Sequence, residues 1–240
     1  MKSTAIAMMV GLVVVCGAGS ADAQTDVRGG VAGKLSSLGA GVDVAAAVGD
    51  RVNVRVGFAT LSLNHDFDRD GIALAATLKL RSVSGMIDWF PFAGSFHLSP
   101  GVMLYNGNKV EAVARVPGGR QFTLSSTDLL SNPASPVSGT ADVSFDRAAP
   151  MFVVGWGNIA ARGSRRWSIP VELGAAFTRA PKAVLSLSGS ACQSNGANCR
   201  NVATDPTLQS LVAQEQADLN DDIKFFRIIP VLSVGFGYRF

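Results

Sequence analysis

The sequence predicts an all-β fold: a closed antiparallel up-and-down transmembrane β-barrel of about eight strands, with one short helix in the last long loop. Three observations support this. Apolar residues alternate with small or polar ones along most of the chain, which is the period of a strand with two unlike faces. Short and long connections take turns between these stretches. Of the 240 residues, 48% are hydrophobic and only 16% are charged, which excludes an intrinsically disordered chain.

The composition also bears on two other classes of protein. Beyond the N-terminal segment, no apolar run approaches the roughly 18 residues that a transmembrane helix needs, so a helical membrane protein is not expected. The formal net charge of +3 is small and evenly spread, so no nucleic-acid partner is expected. A soluble β-rich domain and a transmembrane β-barrel remain.

The N-terminal segment has the parts of a secretory signal peptide. Lys2 gives a positive start, residues 5–18 are apolar, and residues 21–23 (Ala-Asp-Ala) supply a cleavage site of small residues. We therefore predict that residues 1–23 are removed and that residues 24–240 form a single transmembrane β-barrel domain.

This export determines how the cysteines are interpreted. Cys16 lies in the signal peptide behind the bulky Val15, where a lipoprotein site requires a small residue. Cys192 and Cys199 belong to the exported part, where disulfides persist, and a turn-rich segment separates them. We predict a local disulfide between them. No histidine or further cysteine accompanies the pair, so a metal site is not expected there.

Seven stretches of the chain alternate clearly, and an eighth is weak. The clear ones are residues 38–48, 52–58, 72–89, 98–104 with its continuation 110–116, 143–156, 167–177 and 228–240, and the weak one is the first, near residues 27–32. The apolar face changes phase near Arg81 and Ser82, and again near Pro150. Such a change predicts a β-bulge or a stretch of strand that stands outside the membrane.

The connections between the strands differ in length. Residues 49–50, 91–95 and 160–166 form short connections, and residues 64–71, 117–139 and 188–222 form longer ones. Short turns at one rim and long loops at the other are typical of an outer-membrane barrel. Within the last loop, residues 206–220 have a modestly amphipathic pattern, which predicts a helix that serves as a structural cap, with a binding helix as the less favoured alternative.

The polar face of the strands decides between a membrane barrel and a soluble one. It consists of glycine, alanine and serine with a few charges from five different strands: Asp43, Arg55, Asp88, Glu172 and Arg239. A solvated outer face would be roughly a quarter to a third charged. We therefore predict that this face lines a narrow lumen and that the apolar face meets lipid. A soluble periplasmic ligand-binding barrel is the less favoured alternative.

The five lumen charges are expected to form a network. An unpaired charge in a confined site is costly, so these side chains should pair and hydrogen-bond. The interior of an eight-stranded barrel is just wide enough for side chains to fill. These constraints predict a plugged, non-conducting barrel, and a water-filled channel for small solutes is the alternative.

A short acidic motif is a weak calcium candidate. Asp66, Asp68 and Asp70 precede Gly71 with the spacing of half a calcium-binding loop, which needs oxygen ligands at alternate positions and a glycine at the turn. Position twelve is Thr77, where such a loop carries a glutamate. We therefore expect an acidic surface turn, with no metal and no cofactor.

The sequence lacks two motifs that would indicate an enzyme. It has no G-x-S-x-G nucleophile motif and no phosphate-binding glycine loop, so we do not expect an enzyme. Of the two histidines, His65 lies in a predicted loop. His97 begins a strand, on its inner side, beside the short turn at residues 91–95.

The C-terminal strand carries a more specific signal. Phe236, Tyr238 and Phe240 place aromatic residues at alternate positions and end the chain on one. This resembles the terminal strand of bacterial outer-membrane β-barrel proteins. The chain as a whole resembles their small eight-stranded members, of the type of the outer-membrane protein A barrel domain. The resemblance implies insertion by the barrel-assembly machinery, contact with outer-membrane lipid, and a monomer.

The same resemblance implies a location, the bacterial outer membrane, more than an activity. The class includes structural barrels, adhesins, small pores and a few lipid-modifying enzymes. Those enzymes place their acid–base groups on the membrane-facing outside near the outer rim, which is not where His97 is predicted. We therefore expect a structural or surface-interaction role, with a porin-like channel as the alternative.

Deleting Phe240, or replacing it with aspartate, is expected to lower the amount of assembled protein, because the resemblance makes the final aromatic residue the assembly signal. The measurement is the heat-modifiable band in isolated outer membranes. Phe240→Tyr keeps an aromatic end and serves as the control. Normal outer-membrane levels of the deletion variant would contradict this assignment.

Overall fold

The computed structural model describes residues 28–69, 71–160 and 166–240, and the predicted signal peptide lies outside them. Strands make up most of the described chain. In chain order they are β1 (Gly29–Ser36), β2 (Gly39–Ala47), β3 (Val52–Arg69), β4 (Ile72–Trp89), β5 (Phe96–Asn106), β6 (Lys109–Arg115), β7 (Gln121–Leu124), β8 (Thr127–Ser131), β9 (Ser138–Ser144), β10 (Ala149–Trp156), β11 (Trp167–Ser168), β12 (Val171–Phe177), β13 (Lys182–Ser188), β14 (Ser190–Gln193), β15 (Arg200–Asn201) and β16 (Ile228–Arg239).

Eight of the described strands close the barrel wall. Their order around the wall is β1, β2, β3, β4, β5, β10, β12 and β16, and every neighbouring pair is antiparallel. β16 closes the ring because it pairs with β1 on one side, where Arg239 lies opposite Gly30, and with β12 on the other. The predicted closed, antiparallel, up-and-down barrel is confirmed.

The first strand is longer than its weak pattern predicted. The predicted stretch ended near residue 32, whereas β1 continues to Ser36. The alternation persists in this extension, because Lys34 continues the inward face while Leu35 is exposed on the outside. Lys34 therefore adds a positive charge to the barrel interior that the sequence analysis did not include.

Side chains alternate across the wall as the sequence predicted. Valines on the outer surface of neighbouring strands are exposed: Val42, Val44, Val54 and Val56. Between them, Asp43, Ala45 and Arg55 are buried inside. An apolar exterior around a small and polar interior is the arrangement of a barrel in lipid. It is the reverse of what a soluble ligand-binding barrel would show.

The two rims of the barrel differ. The terminal rim carries the paired ends of the described chain, where Gly29 and Phe240 exchange backbone hydrogen bonds of 3.1 and 3.0 Å. The turns between β2 and β3, between β4 and β5, and after β10 lie at the same rim. The outer rim carries the short β1–β2 turn and all of the larger extensions.

The prediction of a loop over residues 64–71 is wrong. β3 and β4 are 18 residues long each, and they pair from Val52 opposite Trp89 to Arg69 opposite Ile72. A membrane-spanning strand needs only about 9–11 residues, so the outer half of this hairpin stands beyond the barrel wall. Its polar residues suggest a loop in the sequence, but they belong to a strand in which Asn64, Asp66 and Asp68 share one face.

Beyond the wall, the hairpin continues into an outer sheet. Its order is the outer half of β3, the outer half of β4, β6, β9 and β13. At this level β4 leaves β5 and pairs with β6, and the β4–β5 register shifts between Val83 and Ser84. The predicted phase change at Arg81 and Ser82 thus corresponds to both an irregular register and a departure from the wall.

A second, smaller sheet and the helix complete the outer structure. β7, β8, β14 and β15 form this sheet. Together with the helix, they surround a separate apolar cluster made of Val116, Leu124, Leu129, Val137, Ala191, Val202, Leu208 and Val212. The predicted disulfide between Cys192 and Cys199 is confirmed, and it closes the chain just after β14. The predicted long loops are therefore folded around a core of their own.

The predicted helix is confirmed as α1 (Pro206–Asp222), which runs into a 3₁₀ turn (Ile223–Arg227). Asp205 caps its start, because the carboxylate accepts the backbone N–H groups of Leu208 at 3.1 Å and Thr207 at 3.0 Å. The bond from Leu208 lowers the pKa of Asp205 below its usual range. Pro206 follows in the first turn, where no backbone N–H is needed.

Ala59→Leu is expected to destabilise the barrel by about 1–3 kcal/mol, because added volume overpacks a filled interior. Ala59 is only 3% exposed and belongs to an apolar cluster inside the wall. Val56→Leu, on the lipid-facing side of the same strand, is the matched control and should change stability little. Urea unfolding in lipid vesicles measures both variants, and equal stability would argue against a packed lumen.

Candidate functional site

The candidate site is the barrel interior, because the charged residues of the wall converge there. Side chains fill it in three layers from the outer rim to the terminal rim. The outermost, the apolar layer, consists of Leu38, Ala59, Met86, Met103, Ala149, Met151, Val153, Ala176 and Val231. Met103 and Ala176 are 0% exposed, so this layer is tightly closed.

The second layer, the charge layer, is built around the guanidinium group of Arg55. Its Nη1 lies 3.1 Å from Asp43 Oδ2, and its Nη2 lies 2.6 Å from Glu172 Oε1. Nε and Nη2 together form a two-pronged contact with Asp88, at 3.0 and 2.9 Å. Arg55 is 2% exposed, so this cation is held in the interior by three carboxylates from three other strands.

Further groups donate hydrogen bonds to the carboxylates of the charge layer. Lys34 Nζ donates to Asp43 Oδ1 at 2.6 Å. Ser99 Oγ donates to Asp88 Oδ1 at 2.7 Å, and Ser233 Oγ donates to Glu172 Oε2 at 2.9 Å. Buried carboxylates need such partners, because an uncompensated charge in a confined site is strongly destabilising.

His97 extends the charge layer towards the terminal rim. Its Nε2 lies 3.3 Å from Glu172 Oε1, and its Nδ1 lies 3.4 Å from the Ser95 carbonyl oxygen. The imidazole thus bridges the carboxylate of Glu172 and the backbone of Ser95. The Phe90 ring packs against the imidazole with centroids 5.3 Å apart.

Two glycines make room for these groups. A Cβ at Gly57 would meet Asp43, Ser84 and Lys34, and a Cβ at Gly155 would meet His97 and Glu172. Both glycines occupy inward positions of the wall. The large polar side chains in the centre of the charge layer thus fit only because these neighbouring wall positions carry no side chain.

The third layer, the mouth segment, is formed by residues 157–160 at the terminal rim. Ile159 and Ala160 are buried against small residues of β1 and β2. The Asn158 side chain accepts from Asn53 Nδ2 at 2.8 Å, and its backbone carbonyl accepts from Arg239 Nε at 2.8 Å. Arg239 therefore holds the mouth segment in place rather than entering the charge layer.

Two cavities of very different size adjoin these layers. A cavity of about 710 Å³ lies at the terminal rim, bordered by residues such as Asn53, Phe90, Asn158 and Arg239. Between the apolar and charge layers, a cavity of only about 20 Å³ remains. A single water needs at least about 10–15 Å³, so this inner space has room for about one water and not for a continuous column.

The structure thus places the predicted lumen charges in two groups. Asp43, Arg55, Asp88 and Glu172 meet in the charge layer, whereas Arg239 lies apart at the mouth. Sequence reasoning missed Lys34, whose strand was predicted to end too early. The alternation of β1 was the signal that would have included it.

Two of the three calcium candidates, Asp66 and Asp68, belong to the described residues. Asp66 and Asp68 lie on the same face of β3, and Asp70 lies outside the described residues. The Asp68 carboxylate accepts the Gly71 backbone N–H at 2.8 Å. Within residues 28–69, 71–160 and 166–240, no three side chains of His, Cys, Asp or Glu converge in a way that suits a metal ion.

The predicted assembly signal lies on the outer surface of the terminal rim. Phe236 and Phe240 are 58% and 73% exposed, as strand residues facing lipid would be. Trp167 packs beside Phe236 and Tyr238 with ring centroids 5.0 and 4.9 Å apart. The aromatic residues of β16 and β11 thus form part of a girdle at this rim.

Outside the wall, ion pairs follow the polar face of the outer sheet. Lys109 and Lys79 both donate to Glu111, and these bonds lower the pKa of Glu111 below its usual range. In the described part of the chain, no helix is both long enough and apolar enough to cross a bilayer.

The closed wall, the apolar exterior and the filled polar interior are those of the outer-membrane β-barrel fold. Solved structures share this fold. The chain is similar to CarO from Acinetobacter baumannii, with a TM-score of 0.55 and 18% identity over 88% of this chain and 97% of that one. It is also similar to CarO2 from Acinetobacter baumannii, with a TM-score of 0.58 and 16% identity over 89% of this chain and 99% of that one.

Other comparisons add little. A major outer membrane protein from Thermus thermophilus matches with a TM-score of 0.33 and 12% identity over 89% of this chain and 99% of that one, which is too low to support an argument. No protein-family model matches the chain, and no curated protein matches it. At these identities, the likeness to CarO and CarO2 concerns the fold.

Arg55→Ala is expected to destabilise the protein by about 3–5 kcal/mol, because it leaves Asp43, Asp88 and Glu172 crowded and uncompensated in the interior. Lys79→Ala removes one partner of an exposed ion pair on the outer sheet and is the control, with little expected change. Urea unfolding in lipid vesicles compares the two. Wild-type stability of Arg55→Ala would mean that the lumen charges are separately hydrated.

Proposed function

We propose that this protein is a bacterial outer-membrane β-barrel with a closed, non-conducting lumen, and that it anchors and displays a structured outer region at the cell surface. In this proposal the signal peptide is removed and the barrel-assembly machinery inserts the chain through its C-terminal strand. The barrel is a monomer in outer-membrane lipid. It binds no nucleic acid and needs no cofactor.

The filling of the lumen is the observation that carries the proposal. The apolar layer, the charge layer and the mouth segment lie one behind another along the axis. Between the first two lies a cavity of about 20 Å³, which is too small for a solute. A path for a solute would require the Arg55 cluster to open, and this would separate a buried cation from its carboxylates at high cost.

The outer region supports the display role. It contains a sheet that extends from the wall, a second sheet, a helix and a disulfide, all organised around their own apolar cluster. A chain that only needed to span the membrane would connect its strands with simple loops. An ordered outer region of this size is suited to presenting a surface to a partner.

The proposal assigns no reaction to the chain. Among the described residues of the interior, the groups with acid–base chemistry bond to one another, as His97 does with Glu172. No hydroxyl or thiol nucleophile faces His97 in these contacts. We therefore infer a binding or structural role rather than an enzyme.

A narrow channel for small solutes is the second candidate. The cavity of about 710 Å³ at the terminal rim favours it, because a vestibule of this size leads from the rim towards the charge layer. The charge layer would then have to act as a gate.

In planar bilayers, the refolded wild-type protein is expected to show no steady conductance, because side chains fill the lumen. A variant that combines Arg55→Ala, Met103→Ala and Met151→Ala removes large side chains from both inner layers and should conduct if it folds. Steady conductance of the wild type would overturn the closed lumen and favour the channel. Heat-modifiable migration shows that each sample is folded.

A further inference from the structure

The outer half of β3 leaves one edge of the outer sheet open. Thr60 is the last residue of β3 that pairs with β2, opposite Ala40. From there to Arg69, β3 pairs with β4 alone. In the described part of the chain, no strand lies along the other side. We call residues 61–69 the free edge.

The free edge presents backbone groups at every second residue. The Val52 carbonyl accepts from Val48 on the β2 side, and the Arg51 carbonyl accepts from Phe90 on the β4 side. Even-numbered residues of β3 therefore direct their N–H and C=O groups towards β2. Beyond the end of β2, these groups belong to four residues and point away from the sheet: Ser62, Asn64, Asp66 and Asp68.

The opposite edge of the same sheet is covered. There α1 lies along β13, and Asn220 both accepts from the Ala183 N–H at 2.9 Å and donates to the Ala183 carbonyl at 3.1 Å. Gln216 accepts from the Leu185 N–H at 2.9 Å. These amide side chains stand in for a neighbouring strand. Proteins commonly protect exposed edges in such ways, and the free edge has no comparable cover among the described residues.

The two faces beside the free edge differ in chemistry. Leu61, Leu63 and Phe67 lie on one face and are 36%, 52% and 44% exposed. On the other face, Asp66 and Asp68 are exposed carboxylates near the tip of the hairpin. His65 lies between Leu63 and Phe67 on the first face, and its ring stacks on Phe67 with centroids 5.7 Å apart. A strand added here would meet a largely apolar face on one side and negative charge on the other.

This chemistry disfavours a second copy as the occupant. Two copies in one membrane are related by an axis along the membrane normal, so their free edges would run in the same direction. Asp66 and Asp68 of one copy would then approach the same residues of the other. Like charges on neighbouring strands are destabilising.

We propose that the free edge is a docking site for an extended peptide segment of another protein, in which apolar residues alternate with basic ones. The segment adds antiparallel to β3 as a new edge strand. Its backbone bonds to Ser62, Asn64, Asp66 and Asp68, its apolar residues cover Leu61, Leu63 and Phe67, and its cations face Asp66 and Asp68. The inference rests on the display role proposed above.

The test uses a capped, fluorescent nine-residue peptide that alternates valine with lysine, added to refolded protein in nanodiscs of zwitterionic lipid. In an antiparallel pair, residues directly opposite share a face. The residues that bond to the free edge are those of the acidic face, so the lysines of the peptide should supply the bonding N–H groups. N-methylation of the lysines should abolish binding measured by fluorescence anisotropy, and N-methylation of the valines should preserve it.

A matched pair of protein variants tests the same hydrogen bonds by changing β3 rather than the peptide. Asn64→Pro removes an N–H that points away from the sheet, which an edge strand tolerates, so the barrel should fold. It should weaken binding of the lysine–valine peptide by about tenfold or more. Asn64→Ala keeps the N–H and should bind like the wild type. Combined Asp66→Asn and Asp68→Asn should weaken binding and its dependence on salt.

The outcomes separate cleanly. Strand addition is supported if the N-methyl-lysine peptide and the Asn64→Pro variant lose binding while the N-methyl-valine peptide and the Asn64→Ala variant keep it. No binding to the wild type, equal binding of both methylated peptides, or equal loss with Asn64→Pro and Asn64→Ala would overturn it. Bilayer conductance, which tests the closed lumen, does not depend on this edge, so the two proposals fail separately.

Discussion

The enclosure of one guanidinium group by three carboxylates governs the rest of the barrel. Arg55, Asp43, Asp88 and Glu172 come from β3, β2, β4 and β12, so their contacts tie strands across the interior as well as along the wall. All four side chains are buried, so bulk water cannot solvate their charges. Each must be within reach of its partners, which fixes the strand registers and the side of the wall that each segment presents.

Several features of the wall follow from this constraint. Glycines at positions 57 and 155 leave the space that the cluster occupies. The hydroxyl groups of Ser99 and Ser233 donate hydrogen bonds to the carboxylates of Asp88 and Glu172. The apolar layer above the cluster limits the entry of water from the outer side. A hydrated lumen would weaken the ion pairs, since their strength depends on the low dielectric that the packed layers provide.

Local pattern predicts the wall well, and long-range contact explains what it misses. The alternation of Val54, Arg55 and Val56 shows which side chains face inward without any knowledge of the partners. That Arg55 meets Glu172 depends on how the ring closes, and no local pattern contains this. The residues from Asn64 to Asp68 resemble a loop because most of them are polar, yet each of them pairs with a residue of β4. Lys34 was missed because glycines make β1 a weak pattern.

The unbroken pairing of β3 with β4 has a mechanical consequence. The ladder runs from Val52 opposite Trp89, at the terminal rim, to Arg69 opposite Ile72, at the far end of the outer region. A force applied to the tip pulls both strands in the same direction, so it loads in shear the hydrogen bonds that join β3 to β2 and β4 to β5, and these bonds resist it together rather than one by one. Arg55 lies on β3, so a load on the outer region also reaches its ion pairs with Asp43 of β2 and Glu172 of β12 in the barrel interior.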